Sequence, residues 1–432
     1  MSERWSGRAG FILAATASAV GLGSIWKFPY EVGANGGAAF ILFYLAGLAL
    51  IVVPLMLAEF AVGRRGGSDA AGSIERVAAA HGATTAWGWI GVLGVVAGVL
   101  ILSFYSVIGG WTLAYAVETA VDGLAGDSPA AVRGRFDALL AAPARASFYH
   151  AVFLGLAAIV VARGVSRGIE AASRVLMPLL VALMAALALY AVVQGDLAAT
   201  LRFLFRLDMA GFTARAALEA LGLGFFSIGV GFGLMITYGA YARPDISLRQ
   251  VAIVSVGVDT AISVLAGFAV FPIVFAHGLD PASGPGLVFV TLPLAFARMP
   301  LGTAAAIGFF LLLFVAALGS AISMLELAAA YAMRRFGWTR LRAAAALAAA
   351  CFTGGLGTVF SMAFFERLDF LTSNVMLPAG ALALSVFCGW VLPRAVLSEE
   401  LRLGPRGAAR LALLLRWVAP ALIAAATIGG YL

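Results

Sequence analysis

The residue in this sequence with the most chemistry to offer is an aspartate inside an apolar run. Asp259 stands in Ser255-Val256-Gly257-Val258-Asp259-Thr260-Ala261-Ile262-Ser263. A carboxylate so placed serves as a cation ligand or a proton carrier; the plainer alternative is an acid hydrogen-bonded to a neighbouring helix. Two glycine-rich stretches share the apolar setting. One reads Ala17-Ser18-Ala19-Val20-Gly21-Leu22-Gly23-Ser24, the other Ser227-Ile228-Gly229-Val230-Gly231-Phe232-Gly233. Alone, either stretch would mean only that helices pack closely there. As a pair they mean more. Unwinding a helix frees carbonyls to hold a cation and turns half-helix N-termini toward an anion.

These residues need apolar helices around them, and the composition supplies them. Of 432 residues, 63% are hydrophobic and 11% charged, less than half the charge of an ordinary globular domain. A soluble enzyme, a disordered chain, a disulfide scaffold and a nucleic-acid binder are excluded. Apolar runs long enough to cross a bilayer fall near 10–30, 38–63, 87–119, 147–162, 170–193, 215–242, 250–276, 301–333, 341–363, 368–393 and 408–431. The glycine stretches lie in the first and sixth, five spans apart, the spacing of a five-plus-five repeat. With the N-terminus in the cytoplasm, 18 arginines fall in inner loops and 8 in outer ones, which fixes the orientation and leaves the C-terminus outside. Cys351 and Cys388 read as small core residues. His81, His150 and His277 read as solvent-facing groups at helix ends, and no nucleophile–base pair or zinc spacing appears.

Ala19-Val20-Gly21-Leu22-Gly23, Lys27-Phe28-Pro29-Tyr30, Asn35-Gly36-Gly37 and Pro54-Leu55-Met56 open a longer set of motifs. Ser103-Phe104-Tyr105, Gly110-Trp111-Thr112-Leu113, Phe225-Phe226-Ser227 and Ser283-Gly284-Pro285-Gly286-Leu287-Val288-Phe289 follow. Phe314 to Glu326 and Leu368-Asp369-Phe370-Leu371-Thr372-Ser373-Asn374 complete it. Together they resemble the neurotransmitter:sodium symporter family, above all its prokaryotic amino-acid transporters, over nearly the whole chain. The resemblance implies an all-α polytopic membrane protein of about eleven transmembrane helices. Helices 1 and 6 would be broken within a 5+5 inverted repeat, with one helix added. The repeats would span 1–193 and 194–400, and helix 11 would span 401–432. The implied activity is sodium-coupled import of a neutral, hydrophobic or aromatic amino acid across the inner (plasma) membrane, by alternating access.

Carried over one residue at a time, the family's substrate pocket falls on Ala19, Leu22 and Gly23 of the first span and Ile101 and Tyr105 of the third. Phe226, Ser227, Gly229 and Phe232 of the sixth and Ser320 and Met324 of the eighth complete it. Monoamine carriers of the family have an aspartate where this chain has Gly21, so the substrate is expected to bring its own carboxylate. The first sodium site would use Ala19, Ser24, Ser227 and Asp259. The second would use Ala17, Val20, Ala316 and Ser320, weakened because Gly319 replaces a threonine. Tyr44 and Ser263 match the animal chloride site, but Leu223 replaces its glutamine, and the anionic Asp259 implies chloride independence. Lys27 and Asp369 match the outer charged gate, with Tyr105 and Phe232 as its aromatic lid. At the inner gate Trp5 matches, but Arg4 is displaced and Arg334 stands where an acid is expected. A proton-coupled or uniporting carrier is the near rival, motivated by Gly319 and Asp259. An amino-acid sensor on the same fold is the distant one, since the chain has almost no cytoplasmic tails.

Overall fold

The computed structural model describes residues 3–124, 128–209, 212–279 and 286–429, and within them the chain is helical, with no strand. Eleven helical segments correspond to the eleven apolar runs. Nine are continuous and apolar: α2 (Ala38–Gly66), α3 (Thr85–Asp122), α4 (Pro143–Ala162), α5 (Val165–Gln194), α7 (Leu248–Ala276), α8 (Gly302–Phe336), α9 (Arg340–Phe360), α10 (Met362–Val391) and α11 (Pro405–Gly429). The first run is a bent pair, α1a (Arg8–Ala19) and α1b (Gly23–Ala34), turned by 55° at the break. The sixth is split into α6a (Ala214–Ile228) and α6b (Leu234–Ala240) by five residues. Both breaks are where the glycines stand.

Length decides how these helices sit. About 20 residues cross the hydrocarbon, whereas α3 has 38 and α8 has 35. At 1.5 Å per residue α8 is about 50 Å long, so both must tilt or protrude. They pack against each other along much of that length. The broken helices lie inside: α1a touches α5, α7 and α8, while α6a and α6b run along α2. Short helices lie between the spans. Ala70–Ala80 is capped by Asp69, whose side chain accepts from Gly72 N. The others are Pro129–Leu140, Leu197–Phe205, Leu287–Ala297 and Arg394–Leu401.

One polar side chain corrects the sequence reading. His150 is not solvent-facing: it is fully buried in α4, with Nε2 2.9 Å from Ser106 Oγ and its ring stacked on Phe352. Its position seven residues after Pro143, the first residue of α4, suggested a helix end, but that face of α4 packs on α3. Cys351 and Cys388 are buried free thiols, as expected.

Candidate binding site between the two broken helices

α1a ends because Val20 turns out of the helix, at φ −76° and ψ 109°. The break in α6 is made differently. Gly229, Gly231 and Gly233 take φ of +69°, +96° and +82°, the left-handed region that a Cβ disfavours. Alternating glycine with Val230 and Phe232 is what allows this path. Glu59 of α2, fully buried, supports it. Its Oε1 accepts from Gly231 N at 2.5 Å and its Oε2 from Met235 N at 3.0 Å. The carboxylate thereby caps the otherwise orphaned N-terminus of α6b. The only signal for this role in the sequence was an acid deep inside an apolar run.

A cavity lies between the breaks. Nine of the eleven expected pocket residues line it: Leu22, Gly23, Ile101, Tyr105, Ser227, Gly229, Phe232, Ser320 and Met324. Ala19 sits fully buried at the end of α1a, outside that lining, and the side chain of Phe226 lies outside the described residues. The motif segment Ser283-Gly284-Pro285 lies outside them too. Sequence reasoning missed Phe104, Leu234 and Leu377 in the wall; the last comes from α10, which no motif tied to the pocket. None of the lining side chains is charged. Its polar groups are hydroxyls and backbone from the breaks. The Leu22 N–H donates to Tyr105 Oη at 3.2 Å, so an amide and a phenol meet at one point. A Cβ on Gly21 would sit 2.6 Å from Ser320 Oγ and 3.0 Å from Tyr105 Oη. A larger residue there would have to displace both hydroxyls.

Beside the cavity is a cluster of hard oxygens. Ser24 Oγ donates to Asp259 Oδ1 at 2.5 Å and lies 3.0 Å from Ser227 Oγ. Asp259 is fully buried, and among the described residues its Oδ2 and the nearby hydroxyls of Tyr44 and Ser263 find no partner at good hydrogen-bond geometry. A carboxylate oxygen left bare among hydroxyls is costly unless a cation or proton completes it. Serine and carboxylate oxygens suit an alkali or alkaline-earth ion. Among the described residues no group of His, Cys, Asp and Glu has the makings of a transition-metal site.

The residues expected at a second ion site also meet. Ser320 Oγ donates to Ser18 O at 3.2 Å and Val20 O at 3.4 Å. Gly319 faces Ala17 so closely that a Cβ would lie 2.5 Å from the Ala17 carbonyl oxygen. Ala316 is buried one turn away. The missing hydroxyl at 319 is therefore matched by a missing space.

At the Lys27 end a separate cavity is lined by Lys27, Glu31, Arg215, Glu219 and Ser373. Asp369 accepts from Ser373 Oγ at 2.8 Å. Phe232 departs from the expected lid. Its backbone and ring lie by Gly94 and Gly98 of α3, toward the Thr85 end and away from Lys27. Its ring lines the cavity from the side of Gly98 and Gly229.

The opposite end is latched by Trp5, which the family pattern supplied, and by charged residues that it did not. Trp5 is buried, stacked on Phe11, edge-on to Tyr238 and Tyr241, with Nε1 donating to Tyr238 O at 2.9 Å. Arg340 of α9 bridges two acids: Glu326 at 2.6 Å and, through its other nitrogen, Glu3 at 2.5 Å. Tyr241 Oη donates to the same Glu326 at 2.6 Å. Ser6 N donates to Glu170 of α5 at 2.9 Å, and Arg174 holds that carboxylate at 2.6 Å. Arg334, standing where an acid was expected, pairs with Asp69 and Glu75.

Comparison with known proteins agrees with this geometry. The profile of the sodium:neurotransmitter symporter family matches residues 2–129 and 141–429. An uncharacterized sodium-dependent transporter of Bacillus subtilis, YhdH, is 37% identical over 94% of this chain and 92% of its own. One from Haemophilus influenzae is 30% identical over 90% and 89%. The crystal structure of MhsT in complex with L-phenylalanine superposes with a TM-score of 0.91 at 40% identity, covering 99% of this chain and all of that one.

Proposed function

This chain belongs to the sodium:neurotransmitter symporter family, and we propose that it imports a neutral, hydrophobic or aromatic L-amino acid together with sodium, without needing chloride. It is an integral membrane transporter and not an enzyme. The observation that carries the substrate reading is the cavity between the breaks, polar at one point and uncharged throughout. A zwitterion's carboxylate would take the Leu22 N–H and the Tyr105 hydroxyl, which now satisfy each other. Its ammonium would take carbonyls freed by the breaks, and its side chain would lie against Ile101, Phe104, Met324 and Leu377. Phenylalanine bound to MhsT supports the same class. Sodium, as co-transported cargo, would join Ser24, Ser227, Asp259 and the Ala19 carbonyl, with the substrate carboxylate as a further ligand. Asp259 would supply there the negative charge that chloride supplies in animal relatives. The second site, short of a hydroxyl at Gly319, would bind sodium weakly.

Alternating access would come from the two halves, 1–193 and 194–400, moving against each other with the N-terminus in the cytoplasm. The Arg340 latch closes that side in the conformation described here.

The test is uptake of a labelled amino-acid panel into proteoliposomes, with sodium or potassium outside and pH equal across the membrane. Uptake of a neutral amino acid that requires inward sodium and survives replacement of chloride by gluconate is expected. Uptake indifferent to sodium but driven by a proton gradient would replace this reading with proton coupling through Asp259. Loss of uptake in gluconate would remove chloride independence alone.

A further inference from the structure

α11 is the least enclosed of the nine continuous spans: 22% of its most apolar stretch is buried in the protein. Its outward stripe is defined by the helical repeat. Arg406, Arg410 and Leu413 follow each other at spacings of four and three, so their side chains fall within about 60° of one another, and Trp417 stands in the π-helical turn Leu414–Val418 that continues the helix. All four are exposed. The stripe runs from two guanidiniums at the end of a membrane helix into a leucine and a tryptophan on its bilayer-facing side.

Among the described residues no carboxylate pairs with Arg406 or Arg410. The acids at this end are held by other arginines: Glu399 and Glu400 by Arg64 and Arg65, Glu170 by Arg174, Asp69 by Arg334, Glu326 by Arg340. Arg402, the nearest basic neighbour, donates to Pro244 O. The carboxylates closest in sequence, Glu399 and Glu400, are therefore already spent on α2. Arg406 and Arg410 form a like-charged i,i+4 pair, which is unfavourable on an isolated helix. An anion lying along the helix would turn that repulsion into a bidentate grip, since two guanidiniums one turn apart match the oxygens of a phosphodiester. The surface below is already shaped for an acyl chain. Arg416 stacks on Trp390 and donates to Gly389 O at 2.8 Å, and Trp390 and Trp417 meet edge to face at 4.7 Å. This pins the aromatic pair across the α10–α11 seam, with both rings exposed.

We propose that Arg406 and Arg410 bind the headgroup of an anionic phospholipid whose acyl chain lies along Leu413 and Trp417. The apolar stripe identifies the source of the phosphate: a free anion would use only the arginines, whereas a lipid uses both ends of the stripe.

Trp417 makes the site readable. The purified transporter is placed in phosphatidylcholine nanodiscs containing a small, equal fraction of either dibrominated phosphatidylglycerol or dibrominated phosphatidylcholine. Bromine quenches a tryptophan in contact, and the Trp417 contribution is the difference between the native chain and Trp417→Phe. At equal bromine content, Trp417 is expected to be quenched at least twofold more by the phosphatidylglycerol. That preference should vanish in Arg406→Gln/Arg410→Gln, two exposed positions whose change leaves the fold intact by thermal melting. Equal quenching by the two lipids in the native chain overturns the proposal, and so does a preference that persists in the double variant.

Discussion

Removing Glu3 from the latch loosens the end that Trp5 plugs, and the expected size follows from exposure. The Glu3 side chain is 37% exposed and that of Arg340 14%, so the pair is neither free in water nor buried. Surface pairs are worth up to about 1 kcal/mol, and the half-enclosed geometry places this one near the top of that range. Glu3→Gln keeps size and most hydrogen bonding but removes the charge, and Glu326 still holds Arg340. About 1 kcal/mol off the closed state multiplies the open population about fivefold, since 1.4 kcal/mol is tenfold. Ser323 reports that opening. It is buried, bonded to Tyr238 Oη at 2.7 Å, and Tyr238 packs on Trp5. In a Ser323→Cys background the native thiols stay silent, because Cys351 and Cys388 are buried. Maleimide labelling of residue 323 in detergent should be about fivefold faster in Glu3→Gln when reclosing outpaces reaction. An unchanged rate would refute the idea that the Glu3–Arg340 pair holds the Trp5 end shut.

Three further outcomes follow from the same geometry. Arg340→Gln should do more than open the latch: it strands a buried Glu326 without a cation, a loss of about 3–5 kcal/mol. Thermal melting should show it, with Arg340→Gln/Glu326→Gln recovering most of the loss; a single variant as stable as its parent would contradict this. Asp259→Asn should raise the half-saturating sodium concentration tenfold or more, because a charged interaction is worth about 1.5–3 kcal/mol; an unaltered sodium curve would remove Asp259 from the ion site. Tyr105→Phe should raise KM for the amino acid roughly tenfold, by the loss of one hydrogen bond to a charged group, while Asp259→Asn acts mainly through sodium. Equal KM in Tyr105→Phe and its parent would move the carboxylate elsewhere.

The spans were legible because twenty apolar residues in a row have few other uses, and both breaks because glycine is what an unwound helix needs. Side-chain direction inside a break was not legible. Along a helix, position fixes which way a residue points, but Gly229, Gly231 and Gly233 turn the chain through left-handed conformations. Phe232, which the resemblance had made part of a lid, therefore turns its ring toward Gly98 and Gly229. The latch was hidden for another reason. Glu3 and Arg340 are 337 residues apart, and no local pattern announces a pair between the chain ahead of the first helix and the start of α9. Leu377 entered the pocket unannounced for the same reason, since α10 carries no motif there and is placed by packing on the α6 break: a Cβ on Gly231 would meet the Ala381 backbone and methyl group within 3 Å.

The close approach at Gly319 acts as a ratchet on descent. A lineage that gives up a side chain there lets α8 settle against α1a, and the vacated space closes: any Cβ now lies 2.5 Å from the Ala17 carbonyl oxygen. A threonine returning by one mutation meets that carbonyl before it meets an ion. Its first effect is overpacking, which typically costs about 1–3 kcal/mol, and the regained ligand is useful only after a second change moves a helix aside. Loss of the hydroxyl takes one step, and its recovery takes two in the right order. Were the proposed second ion site to need that hydroxyl, the site would be easier to lose than to regain.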